Sequence, residues 1–266
     1  MELLQAIDLG AIALSICFFA LGSYFDLKAR EVDDKVWLIY GPIGFALTIA
    51  RLMIDPSTWI VTFVSIGITT FVSLGLFYFG LFGGADSKAI ICLGLTIPLP
   101  PTSIQPLLGY LHPVFPIPVL ILGFMCSASI AVWYGMKNLL TYMKERGKMF
   151  EGLEKEAKWK KAMALILGYH AETSKLTSTF YLYPMEEVTK DEAGLHRSFK
   201  LYQDAEADRD AMVSEFSNGI KALGYEGKVW VTPGLPLLLF ITFGLILTLI
   251  LGDVVFSAVF ILARHA

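Results

Sequence analysis

Long, uninterrupted apolar blocks recur along this chain, and a soluble domain of its size has no interior large enough to bury them all. The 266 residues are 55% hydrophobic, with a mean hydropathy of +0.62. A helix needs about 20 apolar residues to cross a bilayer. Six blocks approach that length: 6–25, 36–54, 58–82, 87–110, 117–137 and 234–261. This pattern predicts a mainly α, polytopic membrane protein with six transmembrane helices.

Residues 137–230 change abruptly to the composition of a soluble module. The stretch holds fifteen Lys and Arg residues and fifteen Asp and Glu residues. Residues 177–185 and 197–203 alternate in polarity like strands. Residues 204–223 carry apolar side chains at helical spacing, with Gly224 as a stop. We predict a small α+β module here; the alternative is a charged loop that only connects two helices.

The predicted organisation has three parts, and basic residues orient them. Residues 1–137 hold the first five membrane helices, residues 138–230 form the module, and residues 231–266 hold the sixth helix. Ten Lys and Arg residues near the span ends lie on one side of the membrane, and only Arg51 and Arg264 lie on the other. Because an excess of Lys and Arg marks the cytoplasmic side, we predict that the module is cytoplasmic and that both termini are outside.

Two aspartates lie at the ends of apolar blocks where other acids are rare. Asp26 ends the first block and Asp86 opens the fourth, so both fall on the predicted cytoplasmic side. A carboxylate beside hydrocarbon is costly and is by default a functional candidate. Two carboxyl groups that meet share one proton, and such a pair can activate water for attack on an amide. We predict that Asp26 and Asp86 form this catalytic pair, with Asp86, at a helix N-terminus, as the ionised member.

Each acid also has a structural explanation when it is taken alone. Asp86 is placed to cap its own helix, and Asp26 is placed to pair with Arg30 four residues on. Their shared side of the membrane and the glycine-rich run 83–85 favour catalysis, because glycine allows a tight turn that brings the acid close to a substrate.

The fourth block is predicted to form a short helix. It begins at Asp86 and meets prolines from Pro98 onward. Thirteen helical residues rise only about 20 Å, whereas the hydrocarbon layer is about 30 Å thick. Either the helix starts in a recess below the cytoplasmic surface, or residues 98–118 dip in from outside. We favour the recess, because irregular backbone at that depth must line a cavity enclosed by protein.

Sequence patterns for other chemistries do not occur. Cys17, Cys92 and Cys126 lie inside apolar blocks without paired spacing, and we interpret them as small hydrophobic residues. The histidines have no HExxH spacing, and no G-x-S-x-G is present. We expect no cofactor, no metal and no nucleic-acid partner.

Two motifs carry a family resemblance. The segment 26–34 after the first block and Gly83-Gly84-Ala85-Asp86 at the fourth resemble the GxGD-type aspartic peptidases. Within these, the chain is most similar to the archaeal preflagellin and type IV prepilin peptidases. The segment 228–233 also resembles the preflagellin peptidases, so the similarity runs from the start of the chain to about residue 260.

This resemblance implies a six-span aspartic endopeptidase that removes a short basic leader from archaellin or type IV pilin-like precursors at the cytoplasmic membrane face. It places the catalytic acids at Asp26 and Asp86. One departure is Ala85, where the strict motif has glycine, which reduces backbone freedom. Bacterial relatives that also methylate the new N-terminus carry paired CxxC motifs. This sequence has none, so the resemblance implies peptidase activity without methyl transfer.

An acidic loop and a glycine-rich turn are the predicted substrate-binding elements. The loop after Asp26 would attract a leader that ends in Lys or Arg; the alternative is a solvated loop whose acids balance nearby basic residues. The predicted substrate-binding residues are Glu31, Asp33, Asp34, Gly83, Gly84 and Ala85. The segment 233–236 either lines the substrate groove or only sets the start of the last helix. Asp253 lies about 25 Å further along that helix, and we interpret it as structural.

Three other functions are compatible with an apolar chain of this kind. A presenilin-like enzyme would cut within membrane helices, whereas both acids here are predicted to lie near the membrane surface. A proton- or ion-coupled transporter would show internal repeats and acids near the bilayer midplane. A scaffold that docks partners on its module would tolerate replacement of Asp26 and Asp86.

Overall fold

A computed structural model of the protein describes residues 2–145, 148–191, 194–201 and 208–265. The chain forms two compact units, Met1–Ser127 with Pro236–Ala266, and Ala128–Leu235. In chain order the elements are α1 (Glu2–Ala29), α2 (Asp34–Ile54), α3 (Trp59–Tyr78), α4 (Gly84–Thr96), α5 (Pro116–Glu145), α6 (Lys158–Leu167), β1 (Tyr169–Glu172), α7 (Thr173–Ser178), β2 (Leu182–Pro184), β3 (Glu186–Asp191), β4 (Gly194–Phe199), α8 (Arg209–Ala222), β5 (Lys228–Pro233), α9 (Leu237–Leu251) and α10 (Val254–His265).

Among the described residues, four helical segments are long and apolar enough to cross a membrane. They are α1, α2, Pro56–Tyr78 with α3, and Pro116–Lys144 in α5. Together α9 and α10 form a fifth candidate, which is bent by 47° at Gly252, whose φ is +91°. Asp253 accepts a hydrogen bond from the Phe256 N–H (2.9 Å) and so caps α10. The chain is therefore a multi-pass membrane protein with four or five apolar spans, and a sixth span stays a prediction.

The fourth helix is as short as predicted. α4 has thirteen residues and ends at Thr96, so the predicted block 87–110 is not one continuous helix. The prolines that follow lack the N–H that a helix needs. Gly44 of α2 faces Thr96, and Gly94 faces Thr69 of α3, at positions where an added Cβ would collide. Such small residues let membrane helices approach closely, and they hold α4 between α2 and α3.

A buried ionic network, which the sequence analysis did not predict, holds the irregular segment after α4. Asp8 of α1 forms an ion pair with Arg51 of α2 (3.5 Å). It also accepts hydrogen bonds from the Thr102 N–H (2.6 Å) and hydroxyl (2.7 Å). Arg51 donates to the carbonyl oxygens of Leu99 (3.4 Å) and Pro100 (3.1 Å). Buried backbone groups need partners, and this network supplies them to a segment without regular structure.

The second unit contains the predicted small α+β module. Its sheet has β5 in the centre with β1 and β2 on either side, and β3 pairs with β4 in a separate two-stranded sheet; all pairs are antiparallel. The face of α8 that carries Val213, Phe216 and Ile220 shares a core with Val229 and Val231 of β5. The helical period of α8 and the alternating period of β5 are what allow both elements to bury one face.

The predicted boundaries within the module are only partly right. In the segment 177–185, α7 occupies the beginning and only β2 is a strand. β4 covers the start of 197–203, and residue 203 lies outside the described residues. The helix predicted from residue 204 begins at Arg209, because Asp208 caps α8 by accepting from the Asp210 N–H (2.9 Å); residues 204–207 are not described. Gly224, with φ +64°, follows the end of α8.

His170 makes the stability of this module depend on pH. Its ring lies 4.6 Å from the ring of Trp230, and its Nε2 is buried without a hydrogen-bond partner among the described residues. Burial, with Arg197 and Lys228 nearby, lowers the pKa of His170 from 6.5 to about 4. The folded module prefers neutral His170, so this contribution to stability is complete above pH 6.5 and is lost as the pH falls toward 4.

We therefore expect protection of the β5 amides against hydrogen exchange, corrected for the intrinsic rate, to fall between pH 6.5 and pH 4. In His170→Phe, which keeps an aromatic ring beside Trp230 and cannot titrate, this fall is expected to be smaller. An equal fall in both proteins would assign the pH dependence to other groups.

Candidate active site

Asp26 lies in the last turn of α1 beside a cation from the same turn. Its side chain is 15% exposed, and its Oδ1 lies 4.0 Å from the Arg30 guanidinium. Arg30 has a left-handed backbone (φ +58°), and its N–H donates to the Asp26 carbonyl (3.0 Å). Non-glycine residues rarely adopt this conformation. Here it ends α1, and the Arg30 side chain lies beside Asp26.

The buried Oδ2 of Asp26 accepts no hydrogen bond from any described residue. A buried polar atom without a partner is costly. The predicted structural explanation, pairing with Arg30, therefore accounts for only one side of this carboxyl group. The other side presents an acceptor that suits water or a substrate group.

The first turn of α9 approaches the same carboxyl group. Pro236 precedes α9 and provides no side-chain cap; its carbonyl accepts from the Leu239 N–H (3.1 Å), which leaves the Leu238 N–H without a capping side chain. The Leu238 N–H lies near the Asp26 carboxyl group. Anions are favoured at a helix N-terminus. Asp26 thus lies at the C-terminal end of α1 and also at the N-terminal end of α9.

Two polar residues and a glycine fix the register of α1 against α9. The hydroxyls of Ser23 and Thr242 are 2.8 Å apart, and Thr242 also donates to the Phe19 carbonyl (3.3 Å). An added Cβ on Gly22 would lie 3.0 Å from the Trp37 ring and 3.6 Å from Leu238. Since Ser23 and Thr242 each lie about one turn from the site, this register places Leu238 beside Asp26.

Asp86 lies in the first turn of α4. Its Oδ2 accepts a hydrogen bond from the Gly83 N–H (3.1 Å), the reciprocal bond of a capping box. The structural explanation expected Asp86 to cap through Ser87 and the following amides, but Gly83 and not Asp86 is the N-cap residue. The next residue, Ser87, is tied to Ser73 of α3, whose hydroxyl donates to the Ser87 carbonyl (2.9 Å). This contact fixes the start of α4, and with it the direction in which Asp86 points.

The fold of the first unit brings the two acids together. The Asp26 carboxylate is close enough to Asp86 for their charges to repel. No hydrogen bond joins them among the described residues. Repulsion between two carboxylates disfavours the state in which both are ionised, so the arrangement favours one proton and one negative charge. This is the electrostatic requirement of a shared-proton pair.

The glycines before Asp86 do not have the role that the sequence suggested. Gly80, with φ +68°, makes the left-handed turn, whereas Gly83 is extended (φ −74°, ψ 164°). Gly84 and Ala85 begin α4, where the backbone does not require glycine, so Ala85 costs no backbone freedom here. An added Cβ on Gly84 would meet nothing within 4 Å. The fold therefore leaves open space beside the Asp86 turn.

The three acids of the loop between α1 and α2 have different surroundings. Asp33 accepts from the Lys35 N–H (2.9 Å) and starts α2. Asp34 forms an ion pair with Lys88 of α4. Glu31 is exposed, and it forms no ion pair with any described residue. Glu31 is thus the acid of this loop whose charge is not already balanced by a neighbour.

Two parts of the site and its surroundings were missed by sequence reasoning. The Leu238 amide is a backbone group, and the only sequence signal for it is the proline at 236, which marks the start of the last helix. Asp8 and Arg51 form their pair far from the acids, because Asp8 precedes Asp26 by eighteen residues of α1, a rise of about 27 Å.

Comparisons with known proteins agree with this architecture. Residues 13–136 match the type IV leader peptidase family, and residues 160–254 match the archaeal peptidase A24 C-terminus type II. The preflagellin peptidase of Methanocaldococcus jannaschii is 30% identical over 256 residues, which cover 92% of each chain. That of Methanococcus voltae is 26% identical over 258 residues (94% of this chain, 98% of the relative). The preflagellin peptidase of Methanococcus maripaludis is also 26% identical, over 253 residues (92% and 94%).

These matches favour a peptidase over a transporter, since they cover nearly the whole chain. The chain belongs to the preflagellin peptidases of the type IV leader peptidase family.

Proposed function

We propose that this membrane peptidase removes the short basic leader from archaellin or type IV pilin-like precursors, with Asp26 and Asp86 as its catalytic acids. The observation that carries the proposal is the Asp26 carboxyl group, which has a buried oxygen without a partner and lies beside a second acid. A purely structural aspartate would have its acceptors satisfied. A water bound at that oxygen would lie within reach of the Asp26 carboxylate, which could act on it as a general base.

The groups around the pair indicate which of the two acids carries the proton. Arg30 and the Leu238 amide both lie near Asp26, whereas Asp86 receives one amide N–H, from Gly83. We therefore assign the negative charge to Asp26 and the proton to Asp86, which reverses the expectation from helix dipoles alone. Asp26 would take a proton from the attacking water, and Asp86 would polarise the scissile carbonyl and then protonate the leaving amine. Coupled acids titrate as a pair, so the assignment applies to the free enzyme.

The proposed topology has six spans with both acids on the cytoplasmic side. Thr102 reaches Asp8, which lies about 27 Å along α1 from Asp26. The chain from Asp86 to Thr102 therefore covers about the thickness of the hydrocarbon layer, although α4 itself is short. This supports α4 with its irregular extension as a sixth crossing, and the Lys and Arg excess on the side of Asp26 supports a cytoplasmic active site and module.

The direct test is cleavage by the purified protein in liposomes. A precursor with a basic leader and a C-terminal tag is expected to yield a shortened tagged product, whose new N-terminus is identified by mass spectrometry. A precursor whose basic residues before the cleavage site are replaced by Glu is the matched control. If the protein retains its fold but processes no precursor, the proposal is overturned.

Glu31→Lys tests the acidic loop without disturbing its other two acids. Reversal at Asp33 or Asp34 would also remove a helix cap or the Lys88 pair, whereas Glu31 is exposed and unpaired among described residues. We expect KM for a basic-leader precursor to rise about three- to tenfold at low salt, with kcat little changed, because steering by surface charge acts on encounter.

The control for this prediction is Glu2→Lys, an equal charge reversal of an exposed acid at the other end of α1. It is expected to leave KM unchanged. If KM for Glu31→Lys also stays at the unsubstituted value at low salt, the loop has no role in attracting the leader.

A further inference from the structure

One helix of the module carries its apolar stripe on the outside. In α6, Trp159, Ala162, Met163 and Ile166 follow the spacing i, i+3, i+4, i+7, which defines one face of a helix. A soluble module normally buries such a face. Here Trp159 is 63% exposed, Met163 38% and Ile166 42%, whereas Ala164 on the opposite side is fully buried.

The opposite side of α6 explains how the helix is fixed to the module. Lys160 forms an ion pair with Glu156 (2.9 Å) and donates to the Phe199 carbonyl (3.3 Å). Lys161 donates to the Glu154 carbonyl (2.8 Å). Both lysines are therefore engaged on the inner side. Their contacts hold the apolar stripe outward, so its exposure does not result from a loose helix.

The C-terminal end of α6 is attached to the helix that leaves the membrane. Asn138 of α5 is buried, and its Nδ2 donates to the carbonyls of Leu165 (2.8 Å) and Gly168 (2.5 Å). Counted from Pro116, about 20 residues cross the hydrocarbon, which brings the boundary close to Lys137, the first charged residue of α5. Asn138 therefore holds the end of α6 at the level where α5 meets the lipid headgroups.

We propose that α6 is an interfacial helix that lies on the cytoplasmic membrane surface, with its Trp159–Met163–Ile166 face inserted among the lipid headgroups. Tryptophan at the edge of an apolar face, with lysine beside it, is the composition that binds bilayer interfaces. Lys158, at the start of α6, is exposed and is placed to meet anionic headgroups.

A bilayer fits this face better than a protein partner does, because α5 already passes through lipid next to it. Beyond Lys137, α5 still exposes Leu140 (68%) and Met143 (69%), so apolar surface continues past the expected hydrocarbon boundary in the same unit. A second copy of the chain and a precursor helix are the other possible occupants, and both are outcomes of the test below.

The test measures the depth of a nitroxide label on the full chain. Met163→Cys is labelled in a background in which Cys17, Cys92 and Cys126 are replaced by Ala and cleavage is retained. In liposomes containing an anionic lipid, we expect the label to be at least about fivefold less accessible to a water-soluble nickel quencher than a label at Ser174→Cys. Ser174 is exposed on α7, a different helix of the module. Oxygen, which partitions into lipid, is expected to relax the label at 163 more strongly.

Three results would overturn the proposal. Equal access of the nickel quencher to both labels would show that the stripe faces water. Spectral broadening at 163 that disappears on dilution with unlabelled protein would assign the face to a second copy. Protection that appears only after a precursor is added would assign it to the substrate. As a matched pair of variants, Trp159→Glu with Ile166→Glu is expected to restore nickel access at 163, whereas Thr177→Glu on α7 is not.

Discussion

Asp26→Asn and Asp86→Asn are each expected to lower the rate of precursor cleavage by about 10²- to 10⁴-fold, because a general base or acid contributes that much. Asparagine keeps the size of the side chain, and its amide oxygen can still accept the Gly83 N–H that Asp86 accepts now (3.1 Å). Both variants should therefore fold. The measurement is the amount of shortened product in liposomes at equal protein.

The matched control for these variants is Asp253→Asn. Asp253 is also a buried acid of the first unit, and it caps α10 through the Phe256 N–H. Asparagine is an equally good cap, so we expect full activity. If both single variants at the proposed pair cleave at near the unsubstituted rate, the aspartic mechanism is wrong, whatever the family resemblance implies.

Arg197→Met is expected to destabilise the module by about 3–5 kcal/mol, since it leaves a buried carboxylate without its partner. Glu186 and Arg197 are both buried and form two hydrogen bonds, of 2.7 and 2.9 Å. Glu186 also accepts from the Trp230 N–H (2.6 Å) on the central strand. Hydrogen exchange of the β5 amides in the full-length protein measures the loss.

A second substitution separates lost charge compensation from lost packing. Glu186→Gln added to Arg197→Met removes the uncompensated charge and keeps an acceptor for the Trp230 N–H, so most of the stability should return. Lys160→Met, which breaks a half-exposed pair with Glu156, is the control and should cost about 1 kcal/mol or less. If the double variant is no more stable than Arg197→Met alone, the loss comes from packing and not from charge.

The sequence singled out the two acids as candidates, because carboxylates are rare in apolar blocks and are costly there. It also indicated a short fourth helix, from the prolines that follow it. It could not indicate that Asp8 and Arg51 pair, since they lie on different blocks and the sequence does not show which blocks are neighbours. The strand order of the module was equally hidden, because β5 pairs with strands more than forty residues earlier and local pattern carries no information about such partners.

The electrostatics of the pair depend on groups that are distant in the sequence. Sequence reasoning assigned Asp26 to the unfavourable end of its own helix dipole, which is correct for α1 alone. The nearby start of α9 and the left-handed Arg30 supply positive charge that only the folded unit shows. The dipole of α1 alone is therefore an incomplete basis for the assignment, because a second helix end approaches the same carboxyl group.

Leu238 contributes to the proposed site through its backbone N–H, so most substitutions at this position keep that contribution. Any residue except proline at position 238 keeps the backbone N–H. An alanine scan, which changes only the side chain, would therefore not detect the contribution of this amide. Proline alone deletes the N–H, and it is sterically acceptable in the first turn of a helix. A component of the proposed catalytic centre is thus encoded by the backbone path, and substitutions at this position other than proline leave it intact.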